Sequence, residues 1–170
     1  MNDFKNGIVT HTFVISKKGE IKADNLPAKI EEVFPDKEDG SAFSLVYIYY
    51  YKNKKFKYPC GKSNVLYIGH TVGQRKGSKI SASFRFMHLK DGKDYNQNIT
   101  LSKIYQLGKK IGLDIIEIND CASTEKKYRY EFLNRFGALP IADGAAYSKN
   151  KAAVLVESVD TKLEEEKLAD

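Results

Sequence analysis

"SLVYIYYYKNKKFKYPCGKSNVLYIGH", residues 44–70, holds six of the chain's eleven tyrosines and no acidic residue. Its opening residues are aromatic and branched, which suits a covered β-strand. "NVLYIGHT", residues 64–71, has the same character and predicts the partner strand. The lysine-rich segment between them, up to Ser63, predicts a long hairpin loop whose ends continue the ladder. Side chains alternate along a strand. Tyr47, Tyr49 and Tyr51 therefore share one face, Tyr50 takes the other, and Tyr67 falls across from one of them. A strand tyrosine is usually a packing residue whose hydroxyl finds a partner. Two of these tyrosines gain a second reading from the polar residues further along the chain.

Working outward, "GIVTHTFVIS" (7–16) alternates as a strand, and "DNLPAKIEEVF" (24–34) reads as a short helix capped by Asp24 or Asn25. "GQRKGSK" (73–79) is a basic loop. "ISASFRFMHLKDG" (80–92) predicts a helix ended by Gly92. "TLSKIYQLGKKIG" (100–112) predicts another, with Leu101, Ile104, Leu107 and Ile111 on one face and a stop at Gly112. "LDIIEIND" (113–120) is a strand. "STEKKYRYEFLNRFG" (123–137) is a helix capped by Ser123 or Thr124 and ended by Gly137. A loop comes next, then a strand at "AAVLVESV" (152–159) and a charged end. The expected fold is α+β (mixed α/β): a small sheet containing antiparallel pairs, flanked by three or more helices. Residues 1–43 form an N-terminal extension of strand and short helix packed on the core, 44–145 the core, and 146–170 a C-terminal strand and acidic tail.

A chain of 170 residues with 42% hydrophobic content can bury a core as one domain. No run of about 18 apolar residues is present, so no membrane span is expected. The N-terminus lacks the apolar stretch of a secretory signal, and a cytoplasmic location is expected. Cys60 and Cys121 are expected as free thiols in a reducing compartment. The net charge is +6, and it is unevenly spread. Residues 44–110 hold 14 Lys or Arg against two acids, Asp91 and Asp94, whereas 157–170 hold six acids and two lysines. A basic middle between neutral or acidic ends suits a polyanion-binding face.

Polar residues on the predicted helices suggest what such a face does. Arg85 and His88 are three apart on one helix, a spacing that can clamp a phosphate or can equally be a surface arginine beside a partly buried histidine. Glu131 lies among Tyr128, Tyr130, Phe132 and Leu133, where a lone carboxylate can hold Mg²⁺ with water filling most of the shell. It can equally pair with Lys127, Arg129 or Arg135.

The ordered set resembles the GIY-YIG nuclease family, closest in character to its type II restriction endonucleases. A tyrosine strand, Tyr67-Ile68-Gly69, a helix with Arg85 and His88, and a helix with Glu131 before "LP" come in the same order as in that family. The likeness spans about Leu45 to Asp143. The first signature reads Leu45-Val46-Tyr47, keeping the tyrosine but not the glycine. The resemblance implies that Tyr47 and Tyr67 position water and phosphate, with Tyr47 a candidate base. It implies that Arg85 binds the scissile phosphate, with Arg75 a competitor, and that Glu131 holds Mg²⁺ or Mn²⁺. His88 stands three residues past Arg85 where the family has four, and His70, directly after the signature, rivals it. Asp143 stands where the family has asparagine.

The activity so implied is a metal-dependent endonuclease acting on double-stranded DNA, sequence-specific in the restriction manner, with a homodimer as one way to cut both strands. Lys52, Lys54, Lys55, Lys57 and Lys62 in the hairpin and Arg75, Lys76 and Lys79 in the basic loop are the expected DNA contacts. The alternatives are a phage, mobile-element or repair nuclease, or a non-catalytic nucleic-acid-binding module on the same fold.

Overall fold

A computed structural model describes residues 8–35, 41–72 and 99–143. The elements run β1 (His11–Ile15), α1 (Leu26–Val33), β2 (Ser44–Tyr51), β3 (Phe56–Tyr58), β4 (Gly61–Ser63), β5 (Val65–Val72), α2 (Ile99–Gln106), β6 (Ile111–Glu117) and α3 (Cys121–Phe136). The fold is mixed α and β, as the pattern of elements predicts. Four strands make one antiparallel sheet in the order β1-β6-β2-β5, and β3 with β4 makes a separate two-stranded hairpin.

The eight residues of β2 explain their own composition. Leu45 to Tyr50 are all buried, because helices cover both faces of the sheet. On one face Leu45, Tyr47 and Tyr49 pack with Leu26 and Ile30 of α1 and Leu101 and Tyr105 of α2. On the other, Val46 and Ile48 pack with Tyr128, Phe132 and Phe136 of α3, which recur every four residues and so form one stripe. Tyr105 also accepts the backbone N–H of Ala23 at 3.1 Å, tying α2 to the turn before α1.

The N-terminal segment is more than an outer covering. β1 is a strand of the main sheet, paired with β6, and α1 belongs to the core. The large cluster of apolar side chains therefore depends on residues distant in sequence.

Helix ends differ from the sequence expectation in two places. α2 stops at Gln106, and Gly108 behind it takes a positive φ of 72°. Gly112, the expected stop, instead lies inside β6, so that strand starts two residues earlier than its apolar run suggests. α3 starts earlier than Ser123: Asp120 is its cap, and its carboxylate accepts the Ser123 backbone N–H at 3.1 Å. Its other end is the expected one, with Gly137 left-handed at φ 73° and its N–H on the Leu133 carbonyl at 2.7 Å. α1 begins with Pro27 in its first turn as expected, and Asn25 is its cap position.

The lysine-rich connection is shorter in loop and richer in structure than expected. Lys57 stands directly opposite Lys62 on the outward face of the β3–β4 hairpin. The inward face is anchored. Tyr58 packs edge-on against Phe132 with ring centroids 5.3 Å apart. The Cys60 N–H donates to the Phe136 carbonyl at 3.0 Å. The Tyr58 hydroxyl donates to the Val65 carbonyl and accepts the Ile141 N–H, at 3.0 and 3.2 Å.

Candidate active site

The antiparallel pair β2–β5 sets the geometry around Tyr67-Ile68-Gly69. Tyr47 is registered against Gly69 and Tyr49 against Tyr67. At the next step the register slips, and Tyr50 faces Val65. The extra residue, Leu66, is a β-bulge. Val65 and Tyr67 would share a face in a regular strand, but the bulge leaves Val65 on the α3 side and turns Tyr67 to the side of Tyr47. The two rings lie nearly parallel, 28° apart, with centroids at 6.0 Å.

Gly69 is what permits this. A Cβ there would lie 2.6 Å from the Tyr67 ring and 2.7 Å from both Cζ and the hydroxyl of Tyr47. The glycine of the signature is thus a slot between two tyrosines, and no unusual backbone angle is needed to explain it. Leu45, where the family has glycine, is fully buried in the same cluster and fills its place by packing.

Tyr47 is 1% exposed and Tyr67 7%. Tyr49, between them in sequence, is fully buried and its hydroxyl has no hydrogen-bond partner among the described residues. Burial first, and the neighbouring Tyr67 second, push its pKa far up. Tyr50, on the α3 face, is pushed up by burial and by the Asp114 carboxylate. Neither of these two is suited to give up a proton. Tyr49 and Tyr50 are packing residues, while Tyr47 and Tyr67 are the pair the strands bring together.

The α3 face holds a different chemistry. His70 Nδ1 and Glu125 Oε2 share a hydrogen bond. Glu125 Oε1 accepts from Arg129 Nη1 at 3.0 Å. Arg129 Nη2 lies 3.5 Å from Asp143 Oδ1. Asp143 Oδ2 in turn accepts the backbone N–H of Ile68 at 3.4 Å, on the outer edge of β5. The segment behind α3 runs along that edge, since the Ala142 N–H donates to the Leu66 carbonyl at 2.8 Å. The His70 end of this line is 36% exposed and the Asp143 end 1%. Burial raises the pKa of Asp143 to about 7, against the opposing pull of Arg129 and the Ile68 N–H; Glu125 adds to the rise.

This line of polar groups is not legible as a unit in the sequence. Glu125 and Arg129 are i,i+4 on a helix, which reads as an ordinary surface pair. Only the return of the chain along β5 adds Asp143, and only the sheet adds His70.

Glu131 also rides on α3, the helix packed on the face opposite Tyr47 and Tyr67. Its ion pair with Lys127 is long, at 3.9 Å, and its carboxylate raises the pKa of Tyr128 after burial. Among the described residues no three His, Cys, Asp or Glu side chains gather around a point. Glu131 is a partly exposed carboxylate. Lys52, Lys54, Lys57 and Lys62 are exposed on or beside the β3–β4 hairpin, as is Lys55. Arg75, Lys76, Lys79, Arg85 and His88 lie outside the described residues, as does the strand expected at 152–159.

Cys60 and Cys121 are free thiols, one exposed and one buried. Among the described residues no helix is long and apolar enough to cross a membrane. Comparison with protein-family models, with curated proteins and with solved structures found no match in any of the three.

Proposed function

We propose that this protein is a metal-dependent endonuclease of GIY-YIG type that hydrolyses phosphodiester bonds in double-stranded DNA. The observation that supports it is the pairing of Tyr47 and Tyr67 across Gly69, a slot that only glycine leaves open. In our reading the two nearly parallel phenols are the groups that order a water and a phosphate.

In this reading Arg85 holds the scissile phosphate by two parallel hydrogen bonds. Glu131 holds Mg²⁺ or Mn²⁺, which when bound supplies Lewis-acid stabilisation of the leaving 3′ oxygen. Tyr47 and Tyr67 orient the water and the phosphate. The products carry 5′-phosphate and 3′-hydroxyl ends. Lys52, Lys54, Lys55, Lys57 and Lys62 contact the DNA backbone, with Arg75, Lys76 and Lys79, and supply salt-dependent affinity. Sequence preference comes from inserts such as the β3–β4 hairpin, and two copies acting together would cut both strands.

Plasmid incubated with the protein and Mg²⁺ tests this. Cleavage is expected, with discrete bands if the enzyme is of restriction type. Glu131→Ala and Tyr47→Phe are expected to abolish it while leaving DNA binding in place. Intact plasmid over a range of salts and metals would sink the reading, as would full activity in either variant.

A second reading, a nucleic-acid-binding module without catalysis, is favoured by Leu45 and Asp143 at two positions where the family differs. It expects salt-sensitive binding, unchanged in Glu131→Ala, and no cleavage.

A further inference from the structure

His70 and His88 are both candidates for the proton-transferring histidine, and the surroundings of His70 argue for it. An ionised carboxylate can only accept hydrogen bonds. The ring atom that meets Glu125, Nδ1, must therefore carry the hydrogen. A neutral imidazole has one N–H, so the lone pair is then on Nε2. The carboxylate is itself held. Each of its oxygens is engaged, one by His70 and one by Arg129, and Arg129 is braced by Asp143 from the segment behind α3. Asp143 is anchored to the backbone of Ile68, two residues before His70 in the same strand. The line thus closes on itself: β5 to α3, α3 to the return segment, and back to β5. Such a closed frame fixes both the tautomer and the orientation of the ring.

The elements packed around His70 are β2, α3 and the return segment. Val46 of β2 stands across from it and is apolar. α3 contributes Glu125, with Arg129 beyond it, and the return segment contributes Asp143. Tyr47, the other candidate base, is 1% exposed, whereas the His70 side chain is 36% exposed. A phenol also ionises near pH 10 and an imidazole near 6.5 in ordinary surroundings.

We infer that Glu125 is a positioning residue that holds His70 with Nδ1 protonated, so that Nε2 takes the proton of the attacking water. The role rests on the nuclease reading. In the step, a water O–H bond breaks and its proton goes to Nε2. The water oxygen forms the new bond to phosphorus, the bond from phosphorus to the 3′ oxygen breaks, and that oxygen leaves with a proton from solvent. His70 then returns its proton to solvent. Tyr47 and Tyr67, on the opposite face of the sheet, are not the base, and Arg129 and Asp143 keep Glu125 in place.

Two measurements on the full chain test this. Long-range proton–nitrogen correlation spectra report the tautomer of His70 without reference to activity. Neutral His70 is expected as the Nδ1–H form, shifting toward Nε2–H in Glu125→Gln. An Nε2–H form in the wild type overturns the positioning role. Plasmid cleavage against pH is the second measurement. Glu125→Gln is expected to lower the rate about 10- to 100-fold and to displace the pH profile, with DNA affinity by fluorescence anisotropy unchanged. His70→Ala is expected to lose at least as much and to remove the rise with pH. Wild-type cleavage that survives His70→Ala but not His88→Ala overturns the role of His70 alone. No cleavage by the wild type overturns the nuclease reading and the catalytic half of this inference with it, and the tautomer then stands or falls separately.

Discussion

Gly69 in β5 and Gly112 in β6 flank the same strand and serve the same geometric purpose on opposite faces. Each lies opposite a tyrosine of β2, Tyr47 in one case and Tyr50 in the other. A Cβ at Gly112 would meet the Tyr50 ring at 2.0 Å, and one at Gly69 would meet two tyrosines at 2.6 and 2.7 Å. Their neighbours separate them. Tyr50 lies against Asp114, which accepts a hydrogen bond from Thr12 at 2.8 Å, inside the sheet. Tyr47 lies beside Tyr67 near the outer strand. The same steric device therefore packs buried tyrosines at both places, and in our reading one of the two pairs also serves the reaction. A glycine beneath an aromatic ring identifies a close approach and says nothing of its use.

Substitutions at these glycines bear most directly on the contrast. Gly112→Ala is expected to have the largest effect, about 3 kcal/mol or more of lost stability, because the fully buried Tyr50 has nowhere to move. Thermal or denaturant unfolding measures it, and a loss under about 1 kcal/mol would mean that the ring is not held over Gly112. Gly69→Ala should cost less, about 1–3 kcal/mol, since part of the strain falls on ring edges near the outer strand. It should cost cleavage more than folding: a folded Gly69→Ala with undiminished activity would show that the Tyr47–Tyr67 spacing is only packing.

The acid behind the site gives a pH signature on the other face. Asp143 has a folded pKa of about 7 against an ordinary 3.8. Its contribution to stability is therefore greatest below about pH 4, falls as pH rises toward 7, and stays lost above that. The full shift corresponds to at most about 4 kcal/mol. Asp143→Asn should remove this fall, gaining about 1–2 kcal/mol relative to the wild type at pH 8 and nothing at pH 4, with the lost Arg129 contact offsetting the remainder. Parallel melting curves at the two pH values decide it.

The smallest expected effect lies in the hairpin. Lys57 and Lys62 are like charges placed directly opposite one another, an arrangement that costs a few tenths of a kcal/mol. Replacing both by Gln should leave stability unchanged or raised by that amount. It should weaken DNA binding and lower the salt dependence by about two phosphate contacts. Unchanged binding would remove this face of the hairpin from the DNA interface.

Much of this architecture comes from residue pattern alone. The two tyrosine-rich strands, the αL glycine that ends α3, the Pro27-started α1 and the mixed α/β class depend on local chemistry: branched and aromatic runs, a missing Cβ, a missing N–H. The alternation that puts Tyr50 opposite to Tyr47 and Tyr49 is equally local, because it is the period of a strand. The candidate residues Tyr47, Tyr67, His70 and Glu131 could be named from the ordered motifs that carry the family resemblance. Their neighbours could not. The bulge at Leu66 turns Tyr67 toward Tyr47, and nothing in "NVLYIGH" announces it, since a bulge arises from the pairing of two strands rather than from either one. Gly112 reads as a helix stop until β2 lays Tyr50 over it. His70, Glu125, Arg129 and Asp143 span 74 positions of chain and join only when β5, α3 and the segment behind it pack together. Periodicity is a property of neighbours in sequence, whereas a site is a property of neighbours in space, and those are chosen when the sheet closes.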